Sequence, residues 1–328
     1  MKHVVLFLIF TFLQVHSIVA YSPKYQHIQL PNSSNDTYCF VIPENENVLY
    51  YTSDNKVNCY DIITNKVVKI LEIQVGSPVT AIQVQSELDN IYLGTKAGKL
   101  IVISKSTGEL IFEKDYKAGS INVLEFTNNK NNLLCGCENG MIYQQSAIRA
   151  EDMSEFYQHD KAITSIAVSD SLHLIAISRA DGIVSLFKDN SYEWLSKINS
   201  GEDWIRKVTF NDSKNRLLCV GDDGRLYEWN IANIEKPRLL NQDKVSRNWL
   251  LSLDIGNEGK VKCWGGLDHH LKITTQFARI ETKLKGPILK VQLIQDVLPG
   301  TVVVCCILGK GVQIIPIKAM KFKSIYSN

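Results

Sequence analysis

Gly221-Asp222-Asp223-Gly224-Arg225-Leu226-Tyr227-Glu228-Trp229-Asn230 decides how the rest of the chain is read. Apolar runs flank Gly224 on both sides, Leu217-Leu218-Cys219-Val220 before it and Leu226-Tyr227-Glu228-Trp229 after it. That is the pattern of a hairpin whose turn needs one residue at positive φ. The same punctuation recurs at Asn55, Gly98, Gly140, Gly182, Gly224, His269 and Gly311, at spacings of 43, 42, 42, 42, 45 and 42 residues. Glycine takes positive φ without strain, and Asn and His are among the few side chains that tolerate it. Seven repeats in the low forties predict one closed array rather than two ordinary domains.

A hydrophobic pair opens six of the repeats: Val79 with Ile82, Ile121 with Leu124, Ile163 with Ile166, Ile205 with Val208, Leu250 with Leu253, and Ile288 with Val291. Each pair continues as an apolar alternation, the pattern of a strand packed between neighbouring sheets. Four strands fit each repeat: a at the pair, b before the turn residue, c after it, and d as a more polar outer run. The expected fold is all-β, a seven-bladed β-propeller of four-stranded antiparallel blades. Residues 21–328 form it, with blades at about 37–75, 76–117, 118–159, 160–200, 201–243, 244–285 and 286–328. The last repeat ends in strand c, so its outer strand must come from elsewhere. Residues 24–30 are the favoured donor and residues 322–326 the alternative.

The formal net charge is +2, and Lys and Arg are scattered among Asp and Glu. Phosphate neutralisation needs a clustered basic face, so nucleic acid is not expected as a partner. Met1-Lys2-His3 followed by the apolar run 4–13 reads as an export signal over 1–20, with cleavage after Ser17 or Ala20. The run is too short for a spanning helix, so no stable membrane insertion is expected after signal removal. The protein is therefore expected to be periplasmic or secreted, with a cytoplasmic location as the alternative. Most of the eight cysteines lie in apolar strand-like runs and read as buried thiols. Cys219 and Cys263 occupy matching strands of adjacent blades and are the first pair to test for a disulfide. Three sequons, at Asn32, Asn35 and Asn211, fall in expected loops.

The ending of blade 5 resembles the repeat ending of the WD-repeat family in a degenerate form, with Asn230 where Asp is usual. Tyr60-Asp61 and Phe187-Lys188 stand at the Trp-Asp position of blades 1 and 4. The resemblance implies a blade-crossing network of a His before strand a, an Asp in the b–c turn and a Trp in strand c. His159 and Asp181 keep parts of it in blade 4, Asp223 and Trp229 in blade 5, and Asp268 in blade 6. No blade keeps all of it.

The chain has no Gly-x-Ser-x-Gly turn, no phosphate-cradling loop with Lys and no His-Glu-x-x-His. His269-His270 is the nearest approach to a metal motif, but adjacent strand residues point opposite ways and His269 serves the turn. Asp223 matches the structural turn Asp, and Asp222 is expected to face solvent. No catalytic residue, metal or cofactor is expected. Recognition is: d–a loops and b–c turns gather around one mouth of a propeller, and loops on a rigid scaffold commonly bind. Trp204, Trp249, Arg206, Arg247, Asp203 and Lys161 lie there and are the candidate partner-binding residues. The expected function is an exported, non-catalytic scaffold, monomeric alone, that binds a protein or peptide. The alternatives are a lactonase-like or quinone-cofactor enzyme using the central channel, and a cytosolic scaffold.

Overall fold

Short β-branched and aromatic runs separated by tight turns pair with their nearest neighbours in sequence, and here they do so seven times. A computed structural model describes residues 28–33, 37–43, 46–149, 152–201, 203–256, 258–276, 278–294 and 302–317, with the backbone of 322–324. The expected export signal lies outside the described residues. Seven antiparallel sheets form, one per repeat. Their inner strands are Phe40–Val41, Val79–Gln85, Ile121–Phe126, Ile163–Ser169, Ile205–Asn211, Leu250–Gly256 and Ile288–Ile294. The chain is a seven-bladed β-propeller with four-stranded blades.

The core sits in the seams between blades rather than inside any one of them. Seven clusters of buried side chains are each shared by two adjacent sheets. Tyr51 and Phe40 of blade 1, for example, join Val304 and Val312 of blade 7, all fully buried. A single blade therefore cannot bury both its faces, and the ring is stable only when closed.

Closure uses both ends of the chain. Ile28–Gln29 pairs antiparallel with Gly311–Pro316 and supplies the outer strand of blade 7. Leu30 extends the contact, donating its N–H to Val312 O at 2.9 Å. Phe322–Ser324 instead joins the outer edge of blade 6 as a fifth strand against Ala278–Lys283. The last residues, which the repeat spacing assigns to blade 7, thus reinforce its neighbour.

All seven turn residues have positive φ, from 59° at Asn55 to 88° at Gly140. The glycines meet a second demand, because each b–c turn lies against the d–a connection of its own blade. A Cβ on Gly140 would sit 2.0 Å from the carbonyl oxygen of His159, and one on Gly182 would sit 2.1 Å from that of Gly201. Asn55 is exposed, so its side chain meets no such obstacle.

Strand a carries a β-bulge in blades 2 to 7. The residue left out of register is Thr80, Asn122, Thr164, Arg206, Leu251 or Leu289. A bulge re-aims one side chain. In three blades it latches the next: Thr80 Oγ1 donates to Ile121 O at 2.6 Å, Asn122 Nδ2 to Ile163 O at 2.9 Å, and Thr164 Oγ1 to Ile205 O.

One expectation, of buried free thiols, holds, and one, of a glycosylation loop, is corrected. All eight cysteines are free and buried, so Cys219 and Cys263 do not pair; the Cys219 thiol lies against the Ser200 hydroxyl instead. Asn211 is not in a loop, but closes strand a of blade 5 at 2% exposure, where it could not carry a glycan.

Gly140→Ala is expected to lose at least ~2 kcal/mol of stability, because it adds both left-handed strain and a backbone clash. Asn55→Gly is expected to change stability by no more than about 1 kcal/mol. Denaturant unfolding of the two variants checks the pair, and an unaltered Gly140→Ala midpoint contradicts the close packing of the b–c turn on the d–a connection.

Candidate rim site

The residue before each inner strand has a fixed backbone task. Its carbonyl accepts a hydrogen bond from the residue just after strand b, at 2.9–3.0 Å, in blades 2 to 7. The residues that do this are Pro78, Ser120, Ala162, Trp204, Trp249 and Pro287. Small or cyclic residues suffice for the bond, yet blades 5 and 6 both place a tryptophan there. The connections approach so closely because strand b ends in glycine in those two blades. A Cβ on Gly221 would lie 2.1 Å from Trp204 O, and one on Gly266 would lie 2.0 Å from Trp249 O.

Their indoles are not packed away beneath the loops, being 42% and 45% exposed. Between them lies Arg206, the bulge residue of blade 5. Its guanidinium carbon is 4.3 Å from the Trp204 ring centroid and 5.2 Å from that of Trp249, a cation–π contact on both sides. Arg206 therefore forgoes the latch made by Thr80, Asn122 and Thr164 and bridges two blades at the rim.

Asp222 fixes the guanidinium. Arg206 Nε donates to Asp222 Oδ1 at 2.6 Å and Nη2 donates to Oδ2 at 2.7 Å, a bidentate pair whose side chains are 23% and 12% exposed. This corrects the expectation that Asp222 faces solvent. Asp222 was legible only as a neighbour of the turn, since a bulge sixteen residues earlier is what brings Arg206 to it. Asp203 and Arg247 stand exposed in the same two connections, outside the stack. Lys161 is exposed in the blade 4 connection and lies 4.0 Å from Asp160.

The b–c turn carboxylates survive while their partners vary. Asp181 receives the Arg179 guanidinium rather than His159. Asp223 accepts the Tyr227 hydroxyl, and the Trp229 Nε1 is buried with no hydrogen-bond partner, so the expected Asp223–Trp229 link is not made. Asp268 accepts from Ser246 and Lys272. Burial opposes its charge, yet these bonds hold the Asp268 carboxyl below its ordinary value.

A central channel of about 660 Å³ is lined by the inner strands. Two of its charged groups, Asp254 of blade 6 and Lys290 of blade 7, are already engaged in structure. Asp254 accepts the backbone N–H groups of Ile255 and Leu293, and burial raises its carboxyl. Lys290 donates to Phe40 O at 2.6 Å, with burial and Lys207 lowering its ammonium. Among the described residues no group of three or more His, Cys, Asp or Glu is placed to hold a metal ion.

A ring of seven four-stranded blades with a carboxylate in several b–c turns defines a repeat-type β-propeller. Residues 151–188 match the family model described as WD domain, G-beta repeat. A segment of 102 residues, 31% of this chain, is 26% identical to WD repeat-containing protein 91 homolog of Dictyostelium discoideum. Another of 87 residues, 26% of this chain, is 29% identical to WD repeat-containing protein 91 of Danio rerio. These segments span 13% and 12% of the two relatives' own lengths. In fold, the chain is similar to the Cps50 (Swd1) β-propeller domain of Myceliophteria thermophila, with a TM-score of 0.75 at 12% identity over 89% of this chain and 98% of that one. In sequence over residues 151–188 and in fold over most of its length, the chain is similar to WD-repeat β-propellers.

Asp222→Asn keeps the shape of the side chain but removes the charge that orients Arg206. It is expected to cost about 1–3 kcal/mol of stability and to alter the tryptophan emission as Arg206 leaves the two indoles. Unchanged emission from the folded variant contradicts the proposed role of Asp222.

Proposed function

We propose that this chain is an exported, non-catalytic propeller that binds another protein or an extended peptide at the rim formed by Trp204, Arg206 and Trp249. The observation that carries the reading is two half-exposed indoles holding one guanidinium, at backbone positions where other blades manage with Pro78, Ser120, Ala162 and Pro287. The ring does not need these side chains for its own hydrogen bonding. Trp and Arg are the types most enriched among interface residues that dominate binding energy. Asp222 and the closed ring hold them in place before binding, which limits the ordering cost of association. Asp203, Arg247 and Lys161 would form the polar margin around this apolar centre.

Export rests on residues 1–20. Eight free cysteines are chemically tolerable in an oxidising compartment because the thiolate is the reactive form, and burial suppresses it. Burial pushes the Cys39 thiol up to about 11 and that of Cys219 up to about 12.

Two measurements test the reading. Mass spectrometry of the protein from its source should find an N-terminus at Ile18 or Tyr21, and an intact Met1 would overturn export. Affinity capture with wild type, Trp204→Ala/Trp249→Ala and Trp194→Ala should separate the rim from mere surface tryptophan, since Trp194 is 54% exposed on an outer strand. Loss of roughly 2 kcal/mol or more, about thirtyfold in affinity, is expected for the rim pair alone. Equal partner recovery by all three folded proteins would remove this face from consideration.

A further inference from the structure

Tryptophan and arginine side chains donate hydrogen bonds and accept none, so the rim is rich in donors by composition. Arg206 gives its Nε and Nη2 to Asp222. Among the described residues its Nη1 makes no hydrogen bond and is not sealed from solvent. The indole N–H groups of Trp204 and Trp249 are also unengaged among the described residues, on two half-exposed side chains.

The acceptors at the centre of the rim are already used. Both Asp222 carboxylate oxygens take Arg206, the Trp204 carbonyl takes the Asp222 N–H at 3.0 Å, and the Trp249 carbonyl takes the Leu267 N–H at 2.9 Å. Asp222 also neutralises the Arg206 charge, so the centre does not call for an anionic partner. Asp203 and Arg247, both exposed, add one charge of each sign beside it. What remains is apolar ring faces and spare N–H donors with no excess of charge. An ordinary extended peptide laid there would set its own N–H groups against donors, and a buried donor without a partner is costly.

We infer that the rim takes a proline-rich segment of a partner protein in the polyproline II conformation, its carbonyl oxygens accepting from Arg206 Nη1 and the indoles while its pyrrolidine rings lie against Trp204 and Trp249. The inference rests on the rim reading and names the chemistry of its partner. Proline brings a carbonyl and no N–H, and the polyproline II helix leaves those carbonyls unbonded within the segment. One turn of it is three residues at ~3.1 Å each. The two ring centroids lie 4.3 and 5.2 Å from the same guanidinium carbon, so they stand no farther apart than about one such turn. A preformed segment meeting a preformed face loses little freedom on docking, which is how aromatic-lined grooves recognise such segments.

Calorimetric titration of the full chain with octaproline, octaglutamate and a Gly-Ser repeat of equal length, all acetylated and amidated, tests it. Wild type should bind octaproline saturably and neither of the others. Trp204→Ala and Trp249→Ala should each weaken that binding roughly tenfold, whereas Trp194→Ala should leave it unchanged. Arg206→Lys keeps the charge but loses the planar fork, and should weaken it about threefold or more; it serves as the second variant if a tryptophan variant fails to fold. Octaproline should also displace the partner recovered by affinity capture. If capture depends on the two tryptophans while octaproline neither binds nor competes, the proline-rich segment is overturned and the rim reading stands; if capture is indifferent to them as well, both fall. Preference for octaglutamate, or octaproline binding undiminished in the rim variants, also overturns the inference.

Discussion

Every blade depends on its neighbours to cover its faces, and that constraint organises the whole molecule. The seven apolar clusters lie across seams, and the side chains along strand a reach over the same seams to the backbone of the next inner strand. Hydrophobic burial is non-directional, so it could stack the sheets in many registers. The hydrogen bonds from Thr80, Asn122 and Thr164 select one register. Where the ring closes, Lys290 and Gln292 reach Phe40 O and Ile42 O, and Ile28–Gln29 completes the last sheet. Without that closure one seam is lost and two blade faces are left uncovered.

Much of this was legible in the chain because it is periodic. Positive φ restricts a turn to Gly, Asn or a few others, so seven such residues at near-constant spacing mark the b–c turns, and all seven adopt that backbone. Inner strands announce themselves by hydrophobic pairs. What periodicity cannot reveal is which polar group meets which. The Arg206–Asp222 pair depends on a bulge, a one-residue slip of register with no composition signal of its own. The family's blade-crossing network also misled: Asp181 and Asp223 remain in place, yet Arg179 and Tyr227 rather than His159 and Trp229 satisfy them. A turn carboxylate needs a donor, and the fold accepts several.

The irregular residues acquire meaning against that regular frame. Residues 78, 120, 162, 204, 249 and 287 do the same backbone work, so the two tryptophans are departures that the ring itself does not require. The same holds for Arg206 at the latch position. Rigid seams and unconstrained rims are what a scaffold needs, because preorganised contacts lose little entropy on binding.

Site-specific photo-crosslinking tests the central claim most directly. A photoreactive residue is placed at Arg247, exposed in the same connection as Trp249, or at Trp194 on the outer strand of blade 4. Irradiation in the source cells should then give a discrete partner adduct from position 247 and none from position 194. An adduct from position 194 with none from 247 would contradict the rim as the binding face.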